Sequence, residues 1–201
     1  MGRVRAYIGL GANVGDPAGT LAAAVHALAA LPGARLRGVS RLYATDPVGV
    51  VDQPEFRNAV VVLDVPAGPD PDTGATALLV ALKELERAFG RQVRGRWGPR
   101  EVDLDLLVFG RHRVEVERPE AGRSLDAAKA ALPLTVPHRE AQHRLFVLAP
   151  LSDLAPGLVP PGWGETVASA AARQRALEGM DAARPTATWD GEGWRPLGRV
   201  G

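Results

Sequence analysis

The sequence predicts an α+β fold, with a ferredoxin-like βαββαβ core of helices packed on one face of an antiparallel sheet, followed by a C-terminal extension. Two observations predict this class. Short aliphatic segments alternate with two longer segments whose apolar residues recur at helical spacing, and stretches rich in glycine and proline separate them. With 201 residues and 46% hydrophobic content, the chain can bury one sizeable core.

Each core element has its own local signal. In chain order we predict a strand over 5–10, a helix over 17–31, strands over 36–43 and 58–65, a helix over 75–89 and a strand over 102–109. Asp16 can cap the first helix and Pro17 can begin it. Gly9 to Gly15 lacks the spacing of a phosphate-binding motif, so we interpret it as a tight turn between strand and helix.

The rest of the chain divides at about residue 167. Residues 1–167 should form the domain that carries the functional residues, and residues 111–132 within it a surface excursion. Residues 168–201 should form a C-terminal helix and a loosely held tail, because proline and glycine recur after residue 184.

Composition excludes several classes of protein. The formal net charge of +1 argues against a general polyanion binder. The absence of cysteine excludes disulfides, thiolate zinc sites and cysteine nucleophiles. No segment has the length of a signal peptide or a membrane span, so we expect a cytoplasmic protein with no membrane and no nucleic-acid partner.

The segment from Arg96 to Phe109 joins a cationic loop to a strand with two carboxylates. Because strand side chains alternate faces, Asp103 and Asp105 should point the same way, roughly 7 Å apart. Oxygen ligands at that spacing suit Mg²⁺. A solvated strand face is the alternative, but the apolar residues around the aspartates favour a buried strand and a metal site.

Two loops flank this strand in the predicted site. Four arginines, at positions 91, 94, 96 and 100, stand in a loop without acidic residues, a pattern typical of a polyphosphate clamp. The loop from Thr45 to Asn58 contains an aromatic ring and an amide. That mixture suits a flat heteroaromatic ligand stacked on Phe56 and hydrogen-bonded by Asn58, although an ordinary connecting loop can look the same.

Seven motifs together resemble the 6-hydroxymethyl-7,8-dihydropterin pyrophosphokinase family of folate biosynthesis. They are YIGLGAN (7–13), YATDPVG (43–49), DQPEFRN (52–58), GR (90–91), RWGPR (96–100), DLD (103–105) and LTVPH (134–138). The resemblance implies an ATP-dependent enzyme that transfers the β,γ-diphosphate of ATP to the pterin hydroxymethyl oxygen and releases AMP. It also implies two Mg²⁺ ions and functional neighbours among folate enzymes.

The resemblance also implies roles for individual residues. Asp103 and Asp105 match the ligands of Mg²⁺, and the catalytic group further includes Arg91, Arg96, Trp97 and Arg100. The pterin pocket matches Thr45, Asp46, Val48, Phe56, Asn58, Trp97 and Phe146. Positions near ATP match Glu86, Arg91, Arg100, Leu106, Thr135, His138 and Arg144.

The chain departs from the family pattern at several positions near the nucleotide. Val93 replaces an arginine of the first arginine run and Arg94 lies one place along, Pro133 replaces an arginine before LTVPH, and Arg139 follows His138. None of these changes touches the aspartates, so we expect activity, with nucleotide affinity most affected.

Two rival functions use the same features. An RNA-binding ferredoxin-like module would combine this fold with arginines, but it would place aromatic residues on central strands, where this chain has aspartates and aliphatic residues. A catalytically silent relative, or another Mg²⁺-dependent nucleotide transferase, is the second rival. Formation of AMP from ATP and the pterin separates all of these.

Overall fold

The computed structural model describes residues 2–47, 52–90, 100–124 and 132–198. The core runs in the predicted order: β1 (Arg3–Ala12), α1 (Pro17–Ala29), β2 (Arg35–Val39), β3 (Leu42–Thr45), β4 (Phe56–Pro66), α2 (Pro71–Ala88) and β5 (Asp103–Phe109). Asp16 caps α1 as predicted, since its carboxylate accepts a hydrogen bond from the backbone N–H of Gly19 at 3.0 Å.

The predicted strand over 36–43 is two strands, β2 and β3. Ser40 lies between them, where its hydroxyl accepts a hydrogen bond from Val60 N–H and donates one to the Arg41 carbonyl. The register against β4 changes by one residue across Ser40, since Val39 lies opposite Val61 and Tyr43 lies opposite Asn58.

The elements after β5 extend this core. They are β6 (Val114–Val116), β7 (Leu134–Val136), α3 (Leu145–Leu154), α4 (Val167–Glu178), β8 (Arg184–Trp189) and β9 (Trp194–Pro196), with short 3₁₀ turns at Glu120–Gly122 and Ala141–His143. Part of the expected surface excursion packs against α2, because Val114 is buried and Arg87 donates a hydrogen bond to the Ala121 carbonyl at 2.7 Å.

The main sheet has the strand order β5-β1-β4-β3-β8-β9, with β2 beside the far half of β4. All of its pairings are antiparallel, and β6 and β7 form a separate ribbon. The order β5-β1-β4, followed by β2 and β3 one after the other along β4, is that of a ferredoxin-like sheet. The C-terminal hairpin, formed by β8 and β9, extends the sheet beyond β3. Within the described ranges, no helix is long and apolar enough to cross a membrane.

Helices cover both faces of the sheet, which corrects the expectation that they pack on one face. On the first face, α1 and α2 pack on residues such as Ile8 and Leu63. On the second, α3 and α4 pack on residues that include Val60 and Val62. The run of valine and leucine in β4 is buried along both faces, so each face needs a covering layer.

The expectation of a loosely held tail is wrong for residues 184–198. β8 pairs with β3 in a register that places Leu42 opposite Ala187 and Ala44 opposite Arg184, and β9 pairs with β8. The predicted C-terminal helix is α4. The tail is ordered because its backbone groups complete the hydrogen-bond ladder of an otherwise exposed strand.

Candidate functional site

A row of cross-strand partners forms the floor of the candidate site. Asp103 lies opposite Gly11, which lies opposite Asn58 on its other side, and Gly9 lies opposite Asp105. Cross-strand partners point to the same face of a sheet. Neighbouring strands are about 4.8 Å apart, so the backbones of Asp103 and Asn58 stand about 10 Å apart with a glycine between them.

The two glycines keep this floor open. Gly9 and Gly11 belong to β1, which runs to Ala12, so this part of the predicted turn is strand. A Cβ on Gly11 would lie 3.1 Å from Asn58 Oδ1, and a Cβ on Gly9 would lie 3.3 Å from the Leu107 side chain. We call the space over Gly9 and Gly11, between the aspartates and Asn58, the glycine groove.

The aspartates occupy one side of the glycine groove. Their side chains are 18% and 36% exposed, while the alternate residues Leu104 and Leu106 are buried against α2, so Asp103 and Asp105 share a face as predicted. Arg100 forms an ion pair with Asp103. Lys83 Nζ lies 3.9 Å from Asp105 Oδ1.

Two buried side chains of α2 hold the strand that carries the aspartates. Glu86 Oε1 accepts hydrogen bonds from Leu104 N–H and from Lys83 Nζ, both at 2.7 Å, and Lys83 also donates to the Leu104 carbonyl at 3.0 Å. β5 is an edge strand, so its outward backbone groups need such partners. Glu86 therefore positions Asp103 and Asp105 through Leu104.

Thr45, Phe56 and Asn58 occupy the other side of the glycine groove. Asn58 Nδ2 donates a hydrogen bond to Thr45 Oγ1 at 2.7 Å, and both residues are buried. Thr45 lies opposite Phe56 in the ladder, so all three share one face. Asp46, the next residue, is exposed.

Phe146 lies in the first turn of α3, where its ring is half-buried. The guanidinium carbon of Arg144 lies 5.7 Å from the ring centroid, which is within cation–π distance. Arg144 also donates a hydrogen bond to Glu140 Oε2 at 3.3 Å. Arg144 and Phe146 lie close to Tyr43, because Leu145, the residue between them, packs in one cluster with Tyr43.

Asn13 connects two loops of the site, and the sequence analysis did not identify this role. Its Nδ2 donates to Gln53 Oε1 and to the Pro54 carbonyl, both at 3.0 Å, and its Oδ1 accepts from Arg100 N–H at 2.8 Å. Asn13 is 2% exposed. Its place in the YIGLGAN motif was the available signal, but its partners lie far along the chain.

The segment after β7 lies against β5. His138 N–H donates a hydrogen bond to the Leu107 carbonyl at 2.8 Å, and His138 Nδ1 accepts one from Glu140 N–H at 3.3 Å. Thr135 Oγ1 accepts a hydrogen bond from Arg139 at 3.1 Å. Leu106, by contrast, has its side chain in the core, so that side chain is not presented to the groove.

Arg118 is a second residue that the sequence analysis did not identify. It follows β6, whose Val116 lies opposite Leu134, and so it stands close to position 133, where the expected arginine is missing. Its Nε is buried and has no hydrogen-bond partner in the part of the chain that the structure describes. Burial lowers the pKa of Arg118, and the negative charges of Asp105 and Glu86 oppose that shift.

Several predicted residues lie outside the described residues: Val48, Arg91, Arg94, Arg96 and Trp97. Across residues 2–47, 52–90, 100–124 and 132–198, no group of three or more His, Cys, Asp or Glu side chains could hold a metal ion.

Comparison with known proteins gives one family. The model for 7,8-dihydro-6-hydroxymethylpterin-pyrophosphokinase matches residues 7–156. A 2-amino-4-hydroxy-6-hydroxymethyldihydropteridine pyrophosphokinase from Methylorubrum extorquens is 41% identical over 169 residues, which cover 84% of this chain and 92% of the relative. The mitochondrial folate synthesis bifunctional protein of Pisum sativum is 37% identical over 147 residues, 73% of this chain and 24% of that protein.

The fold is also similar to a solved structure. The crystal structure of wild-type HPPK-DHPS from Plasmodium falciparum with pteroate superposes with a TM-score of 0.71 at 14% sequence identity. The match covers 98% of this chain and 48% of that one, so this chain spans about half of the Plasmodium protein.

Proposed function

Because the chain belongs to the 7,8-dihydro-6-hydroxymethylpterin-pyrophosphokinase family, it is a pyrophosphokinase of folate biosynthesis, and we propose that the glycine groove is its active site. The reaction moves the β,γ-diphosphate of ATP to the hydroxymethyl oxygen of 6-hydroxymethyl-7,8-dihydropterin and releases AMP. One observation carries the assignment of the site: two carboxylates and a buried amide face each other across two glycines on one sheet face.

The pterin would occupy the Asn58 side of the groove. Because Thr45 engages Asn58 Nδ2, the amide is fixed and its Oδ1 remains directed over Gly11, where it can accept a hydrogen bond from the ring edge. Phe56 and Phe146 would stack on the faces of the ring. Thr45, Asp46, Val48 and Trp97 complete the proposed pocket.

The polyphosphate of ATP would occupy the aspartate side. The donor set of Asp103 and Asp105 fits Mg²⁺, which prefers carboxylate oxygens and keeps phosphate and water ligands, and we propose that they hold two ions. When bound, Mg²⁺ neutralises phosphate charge and orients the phosphate oxygens. Thr135, His138 and Arg144 border the nucleotide in this proposal, whereas the buried side chains of Glu86 and Leu106 contribute only through the strand β5 that they hold in place.

The chain itself contributes positioning and positive charge. The pterin hydroxyl oxygen forms a bond to the β-phosphorus, the bond from that phosphorus to the α-phosphate oxygen breaks, and the hydroxyl proton passes to solvent. Arg91, Arg96 and Arg100 would offset the charge that grows on AMP, and the family resemblance assigns Trp97 to the same catalytic group. Arg118 would supply the positive charge that is missing at position 133, where Pro133 replaces an arginine of the family pattern. We assign no general base.

Incubation with ATP, Mg²⁺ and 6-hydroxymethyl-7,8-dihydropterin tests this proposal. Asp105→Asn should reduce AMP formation at least about a thousandfold, because removal of a metal ligand costs several kcal/mol of barrier. The control Asp72→Asn, in the first turn of α2, should leave the rate unchanged. Near-normal turnover of Asp105→Asn at saturating Mg²⁺ would refute the metal assignment.

A binding assay with single-stranded RNA tests the rival hypothesis that the chain is an RNA-binding module. Tight RNA binding with a steep dependence on salt, in a protein that forms no AMP, would favour the RNA-binding module.

The match covers only 24% of the Pisum sativum relative, whose name describes a bifunctional protein of folate synthesis. This supports the proposal that the chain has functional neighbours among folate enzymes. We also propose a cytoplasmic location.

A further inference from the structure

The C-terminal hairpin lies outside residues 7–156, which match the family model, and yet the Nη2 of its Arg184 lies 3.6 Å from Oδ1 of Asp46, a residue of the proposed pterin pocket. We propose that this hairpin, β8 and β9, positions the two described ends, residues 46–47 and 52–55, of the proposed pterin-binding loop between β3 and β4, and that Arg184 is the residue through which it acts. The inference rests on the proposed function for the role of that loop.

The hairpin holds Arg184 in a fixed place. Thr186 Oγ1 donates to the Leu42 carbonyl and Trp194 Nε1 donates to the Ser40 carbonyl, both at 3.1 Å. The rings of Trp189 and Trp194 pack edge to face, with centroids 4.8 Å apart. Arg184 begins β8 opposite Ala44, so its backbone adjoins the strand that leads into the loop.

The Arg184 side chain spans both ends of the pterin-binding loop. Its Nη2 forms an ion pair with Glu55 and lies 3.6 Å from Asp46 Oδ1, and its Nη1 donates to the Asp181 carbonyl at 2.9 Å. Asp46 follows Thr45 at the end of β3, and Glu55 precedes Phe56 at the start of β4. One guanidinium thus links the two residues at which the loop leaves and re-enters the sheet.

Residues 53–55, at the end of the loop that leads into β4, are held from two sides. Asn13 binds Gln53 and the Pro54 carbonyl from the buried side, and Arg184 binds Glu55 from the solvent side. Glu55 also pairs with Arg57 at 3.1 Å, so its carboxylate lies between two guanidiniums. The direction of Phe56 and Asn58, which follow directly, depends on where this segment is anchored.

The expected effect is moderate because these ion pairs are exposed. The Arg184 side chain is 37% exposed and Glu55 is 43% exposed. Pairs of this kind contribute little individually, so removal of the guanidinium should raise the KM for the pterin about three- to fivefold. The kcat and the KM for ATP should stay within about twofold of the wild type, since the described contacts of the Arg184 side chain are with Asp46, Glu55 and Asp181 and not with Asp103 or Asp105.

Steady-state kinetics of Arg184→Gln, Arg184→Lys and Arg195→Gln test the proposal on the full chain. Arg195 pairs with Asp190 within the same hairpin, so its variant controls for loss of one charge there. We expect the pterin KM to rise in Arg184→Gln, to lie between that value and the wild type in Arg184→Lys, and to stay unchanged in Arg195→Gln. Equal pterin KM values in Arg184→Gln and Arg195→Gln, or a joint change of kcat and both KM values, would overturn it.

Hydrogen exchange supplies a readout that does not depend on activity. Peptides that cover residues 52–57 should exchange faster in unliganded Arg184→Gln than in Arg195→Gln. Equal exchange in the two variants would overturn the proposal. A wild-type protein that forms no AMP would contradict the proposed function, and with it the catalytic role of the hairpin, even where the exchange difference is present.

Discussion

At the scale of single residues, Asn13 has the most consequential set of contacts. Its amide donates to the loop before β4 and accepts from Arg100, so one buried side chain connects the proposed pterin side of the site to the proposed polyphosphate side. An amide can do this because it carries both donors and an acceptor.

Two substitutions of Asn13 separate these connections. Asn13→Asp keeps an acceptor for Arg100 N–H but loses the donors to Gln53 and Pro54, so it should raise mainly the KM for the pterin. Asn13→Ala loses the donors as well as the acceptor. It should raise the KM for the pterin and the KM for ATP, and it should lower the free energy of unfolding by about 1–3 kcal/mol. Kinetics and urea unfolding of the two variants measure this, and identical KM profiles would show that Asn13 does not link the two sides separately.

The sequence predicts only part of the site at this scale. The common face of Asp103 and Asp105 follows from strand alternation, which is a local property. The roles of Asn13 and Arg118 depend on partners brought close by the fold: Arg100 lies 87 residues from Asn13 along the chain. No periodicity or spacing in one sequence contains that information.

At the scale of elements, Asp64 joins three strands. From β4 its carboxylate accepts hydrogen bonds from Arg5 of β1 at 3.1 Å and from Arg37 of β2 at 2.5 Å. The hydrogen bond from Arg5, followed by that from Arg37, lowers the pKa of Asp64 below its ordinary value of 3.8. The stabilisation is therefore complete above the ordinary pKa and is lost as the pH falls through the lower pKa of the folded state.

Asp64→Asn tests this linkage. At pH 7 the variant should unfold with a free energy about 1 kcal/mol lower than the wild type, because the two ion pairs involve half-exposed arginines. The difference should shrink in acid, as the pH falls through the lowered pKa of the folded wild-type carboxylate and that carboxylate is also protonated. Urea unfolding at pH 7 and in acid measures it, and a gap that persists in acid would argue against an electrostatic cause.

The sequence predicted the core elements better than those after β5. The periodicity of α2 and the aliphatic run of β4 are strong signals, and both elements were found with shifts of a few residues at their ends. Helix α3 was not predicted, because it is nearly all apolar and contains Pro150, so it shows no polar face. Its burial between the sheet and α4 explains that composition.

At the scale of the whole molecule, the two-sided sheet creates the site. The face covered by α1 and α2 forms the largest core. The other face is covered by α3 and α4 over Val60 and Val62, whereas at its Asn58 end Gly9 and Gly11 bring no side chains. A sheet buried along one part of this face and open along another thus forms the floor on which we propose that the two substrates bind. The sequence predicted Asp103, Asp105 and Asn58 of this floor and the helix α4, but it predicted neither the two glycines as strand residues nor helix α3.

The central claim is that the two sides of the glycine groove bind different substrates. Calorimetric titration of the wild type, Asn58→Ala and Asp105→Asn with the pterin, and with a non-hydrolysable ATP analogue in Mg²⁺, tests this most directly. Asn58→Ala should weaken pterin binding by about 1–3 kcal/mol and leave the affinity for the ATP analogue unchanged, since the amide reads only the ring edge. Asp105→Asn should weaken binding of the ATP analogue and spare the pterin. Equal losses of both ligands in both variants would contradict the account.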